Sequence, residues 1–362
     1  MKEQTMAAIA LAAIGCVNGT AQAQSNVAVY GILNLSVDSQ STSINGAATR
    51  VAKLSSNSSL LGLRGTEDLG GGLAAIFKIE GKIGADTGTG GVNNRDTFVG
   101  IRGNFGTVKL GYMDPPIDDI KSIFGSAPTG ITSILNTSAL WTNGASDYLA
   151  SSPKVNNGFI SMNETLPNSL RYELPRSGNI GGSFQYSHPK TNEDPGSPHN
   201  IGAQLSYSDN QTRAAFAIYR DVGVRGAGLN DQSAVLTAGT RFGKFYVAAA
   251  YTRQDSDWNG GKIRRNFWGA STTYTSGQNR VYAFYSKVGN GSLSNPTLGN
   301  TGAQMAEISY NYDLSKRTTL YAGYVKIFNE ANATYQLSTN RLPGGDAGAS
   351  PSGFILGIKH NF

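Results

Sequence analysis

The chain has 362 residues, 46 of them Gly, 17 Tyr and 14 Phe, with one Cys, a mean hydropathy of −0.26 and a net charge of +6 from 30 basic and 24 acidic side chains. A polytopic helical membrane protein would need repeated apolar runs of about 20 residues and a positive hydropathy; one cysteine excludes a disulfide scaffold, and so many aromatics exclude a disordered chain. Charged residues, at 15%, fall below the ~25% of soluble domains, and the Gly- and Tyr-rich remainder leans towards β-structure.

Lys2 precedes the apolar run Met6 to Val17, and Ala21-Gln22-Ala23 comes before Gln24. A basic start, a short apolar core and small residues at a cleavage position predict a secretory signal peptide over residues 1–23, with 24–362 as the mature protein. Cys16 would leave with the signal. Leu11 to Cys16 resembles a lipoprotein box only partly, because Ala13 stands where Leu is usual. A mature chain without thiols suits an oxidising periplasm.

After the signal the chain alternates. Val27, Val29, Leu33, Leu35 and Val37 share one face, and Asn26, Asn34, Ser36 and Asp38 the other. That is the period of a half-buried strand. It recurs at Ile201 to Tyr207 and again at Phe354 to Phe362. Seven short polar turns appear, at Thr66–Gly72, Gly103–Gly106, Pro175–Gly178, Ser208–Gln211, Phe242–Lys244, Thr275–Gln278 and Asp313–Arg317. Eight longer segments alternate with them: Ser39–Ser56, Gly84–Asn94, Met113–Leu166, Pro189–Asn200, Asp221–Gln232, Asp255–Lys262, Gly289–Ala303 and Asn329–Pro351. Seven short turns plus the joined termini on one rim and eight long loops on the other predict an all-β fold, a 16-stranded antiparallel transmembrane β-barrel. Such barrels have an even strand number, short periplasmic turns and long external loops. Closure satisfies every backbone group, so the sheet can face lipid. A soluble sandwich would divide into units of about 100 residues, and no linker divides this chain.

The sequence resembles the general porins of Gram-negative bacteria, of the betaproteobacterial type. Val29-Tyr30-Gly31, the stretch Gly62 to Leu73 (GLRGTEDLGGGL), Gly103 to Val108 (GNFGTV), Tyr312 to Thr318 (YDLSKRT) and the closing Gly357 to Phe362 carry the resemblance. It spans the mature chain. It implies an outer-membrane porin barrel over 24–362, a homotrimer, and a third long loop folded into the pore. The implied function is passive diffusion of ions and small hydrophilic solutes through a water-filled channel in the bacterial outer membrane, with membrane lipid and lipopolysaccharide as surroundings.

Met113–Leu166 is the candidate for the infolded loop, being far longer than ordinary connections. Ile117, Ile120, Ile123, Phe124, Ile131, Ile134, Leu135, Leu140, Trp141 and Tyr148 are apolar enough to pack it on a wall, with a helical piece near Pro116 to Phe124. Its acids Asp114, Asp118 and Asp119 cluster where it leaves the strand. The resemblance implies that such acids face arginines across the constriction, where charge and width set selectivity. Alternation turns Leu60, Gly62, Arg64, Lys78 and Glu80 inward, and Arg95 matches a position where relatives carry a pore arginine. The face of Arg171 stays open between Leu170 and Tyr172. Leu60 and Tyr112 stand where relatives often have arginines. The expected pore lining is therefore Arg64, Lys78, Glu80, Arg95, Tyr112, Asp114, Asp118 and Asp119, with a weak anion preference or a shape tuned by Tyr112 and Leu60.

The competing reading is an outer-membrane barrel enzyme, a hydrolase. His188 and His199 flank Glu193 and Asp194, but no metal-ligand spacing, nucleophile elbow or phosphate loop is present, and no cofactor is implied. A plugged 22-stranded transporter would need residues the chain does not have. Basic residues are dispersed, which argues against nucleic acid. The one basic trio, Lys262, Arg264 and Arg265, better suits lipopolysaccharide phosphates or water.

Overall fold

A computed structural model describes residues 26–124, 133–141, 164–188, 198–224, 226–258, 261–292, 299–337, 340–342 and 344–362. The expected signal segment and Cys16 lie outside them, as do Ile131, Tyr148, Glu193 and Asp194. The strands are β1 (Asn26–Ile44), β2 (Ala47–Ser56), β3 (Leu60–Gly70), β4 (Leu73–Gly84), β5 (Thr89–Gly90), β6 (Thr97–Gly103), β7 (Gly106–Met113), β8 (Leu166–Glu173) and β9 (Ile180–Ser187). They continue as β10 (His199–Ser208), β11 (Thr212–Val222), β12 (Asn230–Phe242), β13 (Phe245–Trp258), β14 (Gly261–Ser276), β15 (Asn279–Val288), β16 (Ala303–Asp313), β17 (Thr318–Asn329) and β18 (Ser352–Asn361). The short helix α1 (Pro116–Asp119) lies between β7 and β8.

Sixteen staves close the barrel. β1 pairs with β2 through Leu35 to Ile44 and with β3 through Asn26 to Ile32, so β2 and β3 are one stave interrupted at 57–59. The two-residue β5 is a spur on β4. β1 also pairs with β18, from Ile32 opposite Asn361 to Ser41 opposite Ser352, which seals the cylinder. Gly31 and Phe362 exchange both backbone hydrogen bonds at 3.1 Å. The ring leaves no sheet edge, the requirement for a sheet in hydrocarbon. No described helix is long and apolar enough to cross a membrane; the strands make the crossing.

Alternation sorts the side chains as expected. Val29, Leu61, Phe354 and Leu356 face outward and are exposed, while Asn34, Ser36, Asp38 and Gln40 face inward and are buried. The outer surface is not uniform. Between Asn26 and Leu174 the exposed large apolar side chains are aliphatic except Phe105; beyond them Phe184, Tyr186, Phe216, Tyr251, Trp268 and Tyr310 join the aliphatics.

Two expected loops are tighter than the sequence reading has them. The Ser39–Ser56 segment is mostly strand, turning at Asn45-Gly46 with φ of 52° and 74°. Asp255–Lys262 falls largely within β13 and β14. The last long segment folds over the mouth. Tyr335 is buried and its hydroxyl accepts from Arg265 of β14. On the other side, the backbone carbonyl of Asn340 accepts from Gln40 at 2.8 Å, and the Asp346 carboxylate accepts from Ser43 Oγ and the N–H groups of Asn45 and Gly46, each at 2.8 Å. Those bonds, the Gly46 N–H foremost, hold the Asp346 carboxyl below its usual range.

Candidate functional site

The third long loop enters the lumen along the inner wall. Pro116 starts α1 and a 3-10 turn over Lys121–Ile123 follows, both in the stretch expected to be helical. The wall is built of small residues where the loop lies. A Cβ on Gly202 would meet Pro116 at 2.9 Å, one on Gly269 would meet Phe124 at 2.7 Å, and one on Gly323 would meet Leu135 at 2.9 Å. Ile117, Ile120, Ile123, Phe124, Ile134, Leu135, Leu140 and Trp141 are all buried, each burial contributing about 1.5–3 kcal/mol. Phe124 makes edge contacts with Trp141 and Phe267 at 5.8 and 6.1 Å. Polar ties complete the seat: Tyr246 donates to the Ile123 carbonyl at 3.1 Å, Gln254 to the Trp141 carbonyl at 2.9 Å, and Arg213 to Ser122 Oγ at 2.7 Å.

The expected charged residues gather on one patch of wall, β3 to β8. Glu80 accepts from the Tyr30 hydroxyl at 2.6 Å and pairs with Lys78 at 2.9 Å and Arg95 at 3.5 Å; Lys78 also reaches Asp96 at 3.1 Å. The Arg64 guanidinium lies 5.0 Å over the Tyr30 ring. Asp96 in turn accepts from the Asp114 N–H at 3.0 Å. Asp114 receives Thr165 Oγ1 at 2.6 Å, yet burial, and after it the charges of Asp118 and Asp96, push its carboxyl up to about 6. Asp119 is likewise pushed up by burial, although Arg171 holds it. Asp118 pairs with Lys121 of its own loop.

This corrects two expectations. Asp118 and Asp119 find cations in the loop itself and on neighbouring β8, not across the lumen, because they lie only a few residues beyond β7. Tyr112 pairs with Thr97 and shares the parity of Leu110, which is exposed on the outer surface; register thus turns it away from the lumen. Arg171, left open by sequence, is buried and inward: it binds Asp119, the Asp114 carbonyl at 3.2 Å and Ser183 at 3.2 Å. The basic trio is also split by alternation, Arg264 outward and Arg265 inward.

A family model for Gram-negative porins matches residues 7–332. The chain belongs to that family. Outer membrane porin protein 32 of Delftia acidovorans is 30% identical, covering all of both chains. Major outer membrane protein P.IB of Neisseria meningitidis serogroup A is 27% identical over 82% of this chain and 86% of the relative. Among solved structures, the anion-selective porin from Comamonas acidovorans superposes with a TM-score of 0.76 at 25% identity, over 94% of this chain and 100% of that one. The porin is therefore a channel of the outer membrane and not an enzyme, and its barrel lumen conducts ions and small hydrophilic solutes passively. Among the described residues no group of three or more His, Cys, Asp or Glu side chains is placed to hold a metal.

Sequence reading also passed over most of the porin's inward cations. Arg102, Arg213, Arg241, Arg280 and Lys359 all have lumen parity: Arg102 pairs with Thr107, Arg241 covers Tyr246 at 5.6 Å, and Lys359 pairs with Asn34. The signal was present, since Ala214, Phe216 and Ile218 alternate outward from Arg213. It needed the register, not a family motif, to be read.

Proposed function

We propose that this porin prefers anions, that Arg64, Lys78, Glu80, Arg95, Arg171, Asp114, Asp118 and Asp119 shape its constriction, and that it works as a homotrimer bordered by outer-membrane lipid and lipopolysaccharide. Unequal pairing of the lumen charges supports the anion preference. Glu80, Asp96, Asp118, Asp119, Glu173 and Asp313 are each ion-paired, and the further inward acids Asp38, Asp221, Asp231 and Glu307 are buried in the wall rather than presented to the channel water. Arg64, Arg102, Arg213, Arg241 and Lys359 face the lumen with no carboxylate partner among the described residues. Unpaired charge of one sign in a narrow channel concentrates the opposite ion. The likeness to an anion-selective porin supports the same sign.

The deciding measurement is the reversal potential of reconstituted channels in a potassium chloride gradient. Anion selectivity is expected, reduced in the variant R64Q/R213Q/R241Q; cation selectivity of the unaltered protein would overturn the proposal. The trimer reading rests on the aliphatic arc from β1 to β8, which lacks the aromatic girdle that marks lipid contact elsewhere on the barrel. Conductance steps in threes are expected.

A further inference from the structure

The outer surface of β11 to β14 carries a cluster of charged side chains near the external rim. Cross-strand register arranges it in rows. Phe216, Leu236, Tyr251 and Trp268 lie side by side, all exposed, as an apolar and aromatic row. About 7 Å nearer the external rim, the spacing of alternate residues on a strand, come Ile218, Ala234, Arg253 and Asn266. One step further are Arg220, Gln232, Asp255 and Arg264. Tyr251 points its hydroxyl rimward, 2.9 Å from Asn266 Oδ1, the posture of an interfacial aromatic whose polar tip is wet.

The charges in these rows are unevenly used. Asp255 is only 5% exposed and accepts from Arg264 Nε at 2.6 Å, Arg253 Nε at 3.3 Å and Gln232 Nε2 at 3.2 Å. One carboxylate thus fixes two guanidinium groups through Nε alone. Their Nη groups have no hydrogen-bond partner among the described residues, and both side chains are nearly half exposed. Arg220 is exposed beside them, with no ion pair among the described residues. A groove of about 480 Å³ runs between Arg220 and Arg253, with Ile201, Ile218, Ala234 and Asp255 in its lining, and Arg264 stands next to it on the far side of Asp255.

We propose that this groove is a docking site for lipid A, the bis-phosphorylated, acylated glycolipid of lipopolysaccharide, with a phosphate between Arg220, Arg253 and Arg264 and acyl chains along the aromatic row. The inference deepens the lipopolysaccharide contact proposed above and rests on it. Guanidinium forks match phosphate oxygens two at a time, and each cation near an anionic lipid surface adds to affinity. Asp255 holds two of them in place before the lipid arrives, so little ordering remains to be done on binding. The arc bears an aromatic row, as a lipid-facing surface does.

The test is titration of the full-length porin, in neutral detergent, with bis-phosphorylated lipid A, followed by native mass spectrometry. R220Q leaves the partners of Asp255 in place and is expected to weaken binding by about fivefold, the contribution of one surface cation. R220Q/R253Q/D255N/R264Q, which removes the acid together with its cations, is expected to weaken it further. K287Q/K326Q, altering outward cations of β15 and β17, is expected to change nothing, and single-channel conductance should be the same in all. Undiminished binding in both arginine variants, or loss in K287Q/K326Q instead, overturns this site while leaving lipopolysaccharide contact in place. No binding by the unaltered porin overturns both. Displacement by inorganic phosphate at equal concentration would make the groove a free-anion site and overturn the lipid reading.

Discussion

At Asp114 one proton decides a charge beside the charged patch of the wall that holds Glu80, Asp96 and Arg171. Burial and the neighbouring acids push its titration up to about 6, so it is neutral at pH 5 and ionised at pH 7.5. A carboxyl raised in this way adds negative charge only as pH climbs through 6, and its burial favours the docked loop most at acid pH, losing that contribution over the same interval. Anion preference should therefore rise on acidification from pH 7.5 to 5, read as a shift in reversal potential. D114N should show the acid-side value at both pH values; an unchanged titration in D114N would assign the shift elsewhere. Arg171 belongs to the same cluster. Truncation to Leu removes the cation that holds both the Asp119 carboxylate and the Asp114 carbonyl, and R171L is expected to show unstable conductance, while R171K retains steady current. Sequence placed Asp114 in this site but left Arg171 open. Leu170 and Tyr172 read as either face until β7 and β9 set the register.

The infolded loop is held by shape more than by charge. Phe124 sits where Gly269 leaves room, and nothing larger than hydrogen fits there. F124A should remove about 3–5 kcal/mol of packing and loosen the loop without opening the barrel. Noisier single-channel current and closure at lower voltage are expected, with heat-resistant mobility on gels retained; quiet channels would mean that the polar ties from Tyr246 and Gln254 suffice. The loop's ordered packing was legible from its apolar residues, and the short turns from their Gly, Asn and Asp. The extent of β1 and β2 was not. Their inward face carries Ser36, Asp38, Gln40 and Thr42, and their outward face Ser39, Ser41 and Ser43, so no contrast of polarity marks the strand. Asn45-Gly46, a strong two-residue hairpin signal, was the better guide there.

At the scale of the barrel, the outer surface has two arcs with different chemistry, and a charge placed on each distinguishes them. L61R on the aliphatic arc should dissociate trimers in mild detergent, measured by size-exclusion chromatography with light scattering. L205R, on the arc bearing Phe184 and Phe216, should keep the trimer and instead lower membrane insertion, a lipid-facing charge costing about 2–4 kcal/mol at mid-membrane. Trimers in both variants would move the subunit contact elsewhere. None of this division is visible in composition, because it depends on which exposed apolar residues are aromatic once the staves stand in order.

The β1–β18 seam differs in kind from the other seams. Neighbouring staves elsewhere are joined by direct chain connections, but Ser41 meets Ser352 across 311 positions of sequence. A chain emerging from synthesis can lay down its hairpins one after another, yet the cylinder cannot be sealed until β18 has been made. Until then the product is a curved sheet with two rows of unsatisfied amides, sticky toward any other strand it meets. Biogenesis thus carries a timing problem written into the topology: both margins must be shielded or temporarily paired throughout the interval before they find each other.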